Sequence, residues 1–401
     1  MRFPAYIAAI AALMVLLSAG CRKDPALDGG VSLPREIKNA PYALYYLNDN
    51  TSGSRAEIVQ AGLSAKGGIT GRTNLLSGLN SLNYGELRNL DVTADGAGVL
   101  FSALRDNRHG VYQMTPKSGA MTELFEDLAF DPEFSGNPGM RAMLITESLN
   151  DLLLEVGPDD AEPVRRHMLS NTSATLGSLS CGGGNTAFVA LVPGEGDYSD
   201  PRGKPSLMYL GAGMENPLMP EDGPGEVRDF SISADGSTLA WIMVSDEGMF
   251  LSWAAAKPDG LGEEQSLQLN LRAFVSDLYL SPDGSSAWMI HHQAEPLSPL
   301  EPMEGELLRI PLQPDTEPER LYAFENGHRM LFGDISVTPD GGLFSMALVP
   351  RDEAFVEDLY GPQPWDILIF DGNTGEITHV ERATLSGGRR PGAMLREGGQ
   401  G

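Results

Sequence analysis

One eight-residue phrase returns four times in this chain, and it constrains the fold more than any other feature. It reads Asn89-Leu90-Asp91-Val92-Thr93-Ala94-Asp95-Gly96, then Asp229-Phe230-Ser231-Ile232-Ser233-Ala234-Asp235-Gly236. It returns as Asp277-Leu278-Tyr279-Leu280-Ser281-Pro282-Asp283-Gly284 and as Asp334-Ile335-Ser336-Val337-Thr338-Pro339-Asp340-Gly341. In each copy, alternating apolar residues make a strand and a Ser or Thr opens a turn. Pro or Ala and then Asp fill its centre, and Gly supplies the positive φ that ends it. A second apolar strand follows every time: 98–103, 238–244, 287–291 and 343–349.

The phrase has a period. Asp235 and Asp283 are 48 residues apart, Asp283 and Asp340 are 57 apart, and Asp95 and Asp235 are 140 apart. The long gap holds room for two degenerate units. Candidates are 143–156, turning at Asn150-Asp151, and 176–191, turning at Gly182-Gly183-Gly184. The runs 42–48 and 56–61 supply a further partial unit. No long 3.6-residue apolar pattern interrupts these short strands, so the chain reads as all-β. Six or seven units of four antiparallel strands are the size and number of a β-propeller, with seven blades favoured.

The Ser/Thr-Pro/Ala-Asp-Gly turn resembles the WD40-like repeat of TolB-type propellers of the bacterial envelope. The likeness covers most of residues 40–385 and is crisp in four blades. It implies a fold and an envelope setting, and it is silent on activity, because propellers host binding, scaffolding and enzymes alike.

The N-terminus carries its own message. Met1-Arg2 precedes an apolar run over 6–17 and the small residues Ser18-Ala19-Gly20 before Cys21. A charged start, a short apolar core and a small-residue cut site make a secretory signal. The run is shorter than the roughly 20 residues of a membrane span. Its end resembles the bacterial lipobox, with Leu17 one place upstream of the usual leucine. That resemblance implies acylation of Cys21 and membrane attachment through lipid alone. By likeness to lipoprotein sorting, Arg22 in place of Asp favours the outer membrane, with the domain facing the periplasm or the cell surface. The expected layout is a signal at 1–20, lipidated Cys21 with a flexible tether at 21–38, the propeller at 39–385, and a disordered tail at 386–401. Once Cys21 is assigned to the anchor, Cys181 stands alone and no disulfide framework exists in the mature chain.

Charge narrows the partners. With 55 acidic and 28 basic residues the chain carries −27, which excludes nucleic acid and anionic surfaces as natural partners. In a propeller blade, strands a to d run outward from the axis. The a–b and c–d turns share one face and the b–c loops share the other. The Asp-Gly turns are a–b turns, so that face is trimmed. Three b–c loops are long: 192–206 with Tyr198, 293–306 with Glu301 and Glu304, and 350–366 with Phe355, Tyr360 and Trp365. Acids and aromatics crowded on one face suit an envelope protein or polymer of basic character. The starts of the a strands, Asn89, Asp229, Asp277 and Asp334, should ring the channel mouth on that same face. Such a ring has two readings: it binds a divalent cation or a basic side chain, or its carboxylates latch backbone groups of neighbouring blades.

Catalytic signatures are missing: there is no Gly-x-Ser-x-Gly, His-Glu-x-x-His or Walker sequence. His291 and His292 are adjacent on a strand and point to opposite faces, which does not suit a shared metal. His109, at a b–c turn, is the best single histidine for chemistry. The expectation is therefore a monomeric, non-enzymatic, lipid-anchored binding scaffold with no required cofactor. Its rivals are a propeller hydrolase or lyase with a metal at the channel mouth, and an accessory lipoprotein of outer-membrane assembly.

Overall fold

A computed structural model describes residues 33–398, apart from 51–54, 77–83, 128, 135–140, 148–149, 157–162, 171–177, 193–203, 221–224, 270–273, 293–304, 325–327, 332, 351–360 and 387–388. Seven small antiparallel sheets form a seven-bladed propeller. Blade 2 contains Tyr84–Val92, Val99–Arg105, Arg108–Thr115 and Ala120–Phe125 from the axis outward. Blade 3 contains Ala129–Phe134, Arg141–Glu147, Asn150–Val156 and Pro163–Ser170, so the hairpin at Asn150 joins strands b and c, not a and b. Among the described residues blade 4 has three strands, Leu179–Gly182, Asn185–Val192 and Lys204–Leu210. In place of a fourth, Leu218 bridges Tyr209 through two backbone hydrogen bonds of 2.7 and 2.8 Å.

Blade 5 contains Glu226–Ile232, Thr238–Ser245, Gly248–Lys257 and Gln265–Leu269; blade 6 contains Phe274–Leu280, Ser286–His292, Gly305–Pro311 and Glu319–Phe324. In blade 7 the inner strand is split into His328–Leu331 and Ser336–Val337, followed by Leu343–Pro350, Gln363–Asp371 and Ile377–Leu385.

Blade 1 closes the ring and overturns one expectation. Its outer strands Tyr42–Asn50, Arg55–Leu63 and Ile69–Asn74 come from the N-terminal end. Its innermost strand, Met394–Glu397, comes from the segment expected to be a disordered tail. That strand pairs with Tyr42–Tyr45 and buries Ala393 and Leu395 in a core shared by blades 1, 2 and 7. A circular fold leaves two open sheet edges unless the termini meet, and four residues suffice because their apolar side chains pack as well as pair. The expected tether also shortens, since Leu33 and Ile37 are buried around the helical turn Arg35–Lys38.

The core lies between blades rather than inside one of them. Along Ser286–His292, Ala287 and Met289 pack toward blade 5, while Trp288 and Ile290 pack toward blade 7. Both faces of a blade are covered, so its central strands read as continuous apolar runs, as in Leu239-Ala240-Trp241-Ile242-Met243. His291 and His292 continue this alternation and are both buried. Burial, and then the neighbouring His291, lower the His292 imidazole to about 4.

The recurrent turn has the expected geometry. Ser233 Oγ donates to Asp235 Oδ1 at 2.7 Å, Ser237 N donates to the same oxygen at 2.9 Å, and Gly236 N donates to Ser233 O at 2.8 Å. Gly236 has φ 71°, and its equivalents Gly96, Gly284 and Gly341 have 68°, 67° and 69°. A left-handed residue after a tight turn lets the returning strand re-enter the ladder in register, and Gly does so without Cβ strain.

Candidate functional site

The seven inner strands belong to separate sheets, and side chains bridge them at the axis. Asp229 Oδ2 accepts from Leu278 N at 2.6 Å, across the junction of blades 5 and 6. Asp277 Oδ2 accepts from Ile335 N at 3.0 Å, and Asp334 Oδ2 from Gly392 N at 2.7 Å. Serines add a second rung: Ser231 Oγ accepts from Leu280 N at 3.2 Å and Ser336 Oγ from Leu395 N at 2.9 Å. The remaining junctions use Asp91 to Phe134 N (2.7 Å), Glu133 to Cys181 N (2.7 Å) and Ser180 to Ile232 N (3.1 Å). At the last one Arg396 Nε donates to Val92 O at 2.7 Å, and its Nη2 lies 3.4 Å from Asp91 Oδ1. Every blade junction is therefore latched at the axis. Such a bond contributes about 0.5–1.5 kcal/mol where the acceptor is neutral, as at Ser180, and about 1.5–3 kcal/mol where it is a charged carboxylate, before the cost of desolvating the charge.

Three of the four expected ring residues do this work, and Asn89 does not. Blade 2 shifts register twice along its inner strand, around Arg88, and Glu86 and Asn89 take positive φ (47° and 51°). Asn89 is thereby exposed at the mouth, and Asp91, two places on in the phrase, takes over the latch. Asp334 takes the same positive φ (51°) and still latches, so what separates Asn89 from its equivalents is the pair of register shifts. In blades 5 and 6 a single register shift falls immediately before Asp229 and Asp277.

These groups line a cavity of about 1280 Å³ along the axis. Its lining includes Asn89, Asp229, Asp277 and Asp334, together with Arg88, Arg141, Arg389, Arg390 and Arg396. Three of the arginines, Arg389, Arg390 and Arg396, come from the segment read as a tail. Arg389 is tied to Asp49, to Leu87 O (3.1 Å) and to Ser386 O (2.7 Å). The Arg390 charge acts on all three carboxylates, Asp229, Asp277 and Asp334. The cation expected from a partner is thus supplied in part by the chain itself. The signal for this was the short apolar run Ala393-Met394-Leu395 after Arg390-Pro391-Gly392, which suits a brief buried strand after a turn.

The electrostatics of the mouth are unusual. Burial, followed by the charge of Asp277, pushes the Asp229 carboxyl up to about 8. Burial raises Asp277 to about 6 against the pull of Arg390, and it raises Asp334 as well. Asp229 and Asp277 titrate as a pair, because like charges in a poorly solvated site resist ionising together. Close packing enforces the arrangement: a Cβ on Gly333 would stand 1.6 Å from Asp277 Oδ2. Among the described residues no three carboxylate, imidazole or thiol groups converge as a metal site, so the ring does not have the geometry of a cation cage.

Trp365 departs from the expected binding face. It is 3% exposed and packs in the core with Val349, Ile367 and Ala383, because alternation on its strand turns it inward. Tyr198, Glu301, Glu304, Phe355, Tyr360 and the lipidation residue Cys21 lie outside the described residues. His109 is exposed at the start of its strand. Cys181 has its Sγ 3.5 Å from Thr186 Oγ1, and burial pushes its thiol pKa well above the usual value, which suits a packing role and not a nucleophile.

The fold and this latched axis define the chain as a seven-bladed β-propeller. Solved structures similar to it include a putative 6-phosphogluconolactonase from Bacteroides fragilis, with TM-score 0.51, 13% identity, and coverage of 89% of this chain and 98% of that one. The periplasmic gluconolactonase of Pseudomonas aeruginosa matches with TM-score 0.50, 13% identity, and coverage of 87% and 98%. TolB from Acinetobacter baumannii matches with TM-score 0.48, 10% identity, and coverage of 93% and 88%. No protein-family model matches the chain, and no curated protein does. At such identities the likeness shows the fold.

Proposed function

We propose that this chain is a lipid-anchored propeller of the cell envelope that binds a protein or polymer of basic character through the face bearing the b–c loops. One observation carries the reading. The strands that the three long loops join, ending and restarting at Val192 and Lys204, His292 and Gly305, and Pro350 and Gln363, all do so on the face where Asp229, Asp277 and Asp334 open the channel. Two features of the sequence support it: the charge of −27, and the signal ending at Cys21. A partner of basic character is steered to such a face at long range.

The test is cross-linking in intact cells followed by capture and mass spectrometry, comparing the protein with a variant whose 293–306 and 350–366 loops are shortened. A partner captured by the first and lost from the second is the expected result. Equal capture by both would overturn the loop-face reading. Loss of barrel proteins from the outer membrane of a deletion strain would identify that partner as the assembly machinery.

A second reading, a propeller hydrolase acting at the channel mouth, draws on the raised Asp229 and Asp277 carboxyls. A proton held near neutral pH is what a general acid needs. Sugar-lactone hydrolysis by the purified protein, abolished in Asp229→Asn with the fold intact, would favour it over the scaffold.

A further inference from the structure

The first described residues sit at one face of the propeller. The helical turn Arg35–Lys38 packs on strands c and d of blade 1, Arg55–Leu63 and Ile69–Asn74, where Glu36 O accepts from Thr70 Oγ1 at 3.0 Å. A Cβ on Gly62 would touch Ala40 and Ile37, and one on Gly71 would touch Glu36. Gly62 and Gly71 flank the turn between Arg55–Leu63 and Ile69–Asn74, a c–d turn. By the up-and-down order of a blade, c–d turns lie on the face of the Asp-Gly turns, and Tyr42 confirms this by donating to Asp340 of blade 7. The chain therefore enters on the trimmed face, opposite the channel mouth with its three carboxylates.

Length makes this placement consequential. The 11 residues 22–32 separate Cys21 from buried Leu33, and fully extended that stretch spans no more than about 40 Å. A nine-residue strand such as Tyr42–Asn50, which runs from one face to the other, already covers about 30 Å. Bringing the mouth against the bilayer would stretch that stretch of chain almost straight along the blade edge.

The charge of this face is mixed and does not set the orientation by itself: exposed Lys38, Lys66, Lys117 and Lys257 stand at the helical turn and c–d turns with exposed Glu36, Asp259, Asp315, Glu317 and Glu376. The placement rests on where the chain enters and on the length that joins it to Cys21.

We infer that the Asp-Gly turn face looks toward the membrane and that the channel mouth is presented to the aqueous side, where it meets a water-borne basic partner and not the lipid surface. This rests on the anchoring reading above.

The test uses the full lipidated chain in a Cys181→Ser background, floated on phosphatidylethanolamine–phosphatidylglycerol vesicles that carry a nitroxide headgroup lipid. Two fluorophore pairs mark the two ends of single strands. Lys117→Cys and His109→Cys bracket Arg108–Thr115, and Asp259→Cys and Asp246→Cys bracket Gly248–Lys257; all four sites are exposed. Labels at 117 and 259 are expected to be quenched at least twofold more than labels at 109 and 246. Equal quenching, or the reverse order, overturns the orientation while leaving the anchor standing. Failure to float, with the lipidated chain behaving like Cys21→Ser, overturns the anchoring reading and the orientation with it.

Discussion

Replacing Asp229 by asparagine removes a charge from the channel mouth while keeping one oxygen to accept from Leu278 N. The native carboxylate accepts two backbone bonds, from Phe230 N at 2.8 Å and Leu278 N at 2.6 Å. The amide keeps one and loses the other, at a cost of about 1 kcal/mol. Against that stands the charge. The folded carboxyl sits at about 8, above its ordinary 3.8, so the folded chain holds a proton that the unfolded chain has released. The stabilising contribution is therefore complete below pH 3.8 and is lost as pH rises through 8. At about 1.4 kcal/mol per unit, the shift sets a ceiling of about 6 kcal/mol. Asp229 is partly exposed to the channel, and solvent screening brings the expected loss to about 2–3 kcal/mol.

Urea denaturation of both proteins from pH 3.5 to pH 9 reads the difference directly. At pH 3.5 the variant should be about 1 kcal/mol less stable than the native chain, and at pH 9 about 1–2 kcal/mol more stable, with the curves crossing between. Parallel curves would refute the claim that this carboxylate is desolvated and coupled to Asp277.

Three further perturbations probe other parts of the argument. Leu395→Ala empties a site 1% exposed on the closing strand and should cost about 2–5 kcal/mol in denaturant titration; a loss under about 1 kcal/mol would mean the ring is not closed there. Gly333→Ala should cost more than about 3 kcal/mol because its Cβ would collide with the Asp277 carboxylate. Gly341→Ala, with φ 69° and no atom within 4 Å, should cost about 1 kcal/mol, and equal melting shifts would contradict the packing account. Burial alone would raise the Glu381 carboxyl, but bonds from Arg72 (2.6 and 2.8 Å) and Tyr46 (2.8 Å) hold it below its usual value. Its contribution is present above pH 4.5 and lost as pH falls through the depressed pKa, so Glu381→Gln should cost about 2 kcal/mol at pH 7 and close to nothing at pH 2.5. A constant difference across that range would count against the ion pair.

Much of the fold was legible because it is local. Ser233-Ala234-Asp235-Gly236 closes its own turn through bonds between residues at most five apart, so the turn chemistry and its period stand in the sequence wherever the phrase survives. Where the phrase decays, as around Asn150, the strand was still visible but its place in the blade was not. The ring of Asp229, Asp277 and Asp334 could be located in advance because repeats put equivalent residues at equivalent places.

What each carboxylate does was decided by contacts 49 to 58 residues away, between blades, and no local pattern encodes those. The same holds for the exchange of Asn89 for Asp91, which turns on a register shift, and for Trp365, whose acidic and aromatic surroundings in sequence concealed an inward-facing strand position. The closing strand is the clearest case. Four residues among Gly, Arg and Pro look like a tail by composition, and only the open edge of blade 1, some 350 residues earlier in the chain, makes them the innermost strand of a sheet. Local propensity fixes turns and strands through short-range bonds, but a circular fold is completed by its two ends meeting, and that is a property of the whole ring.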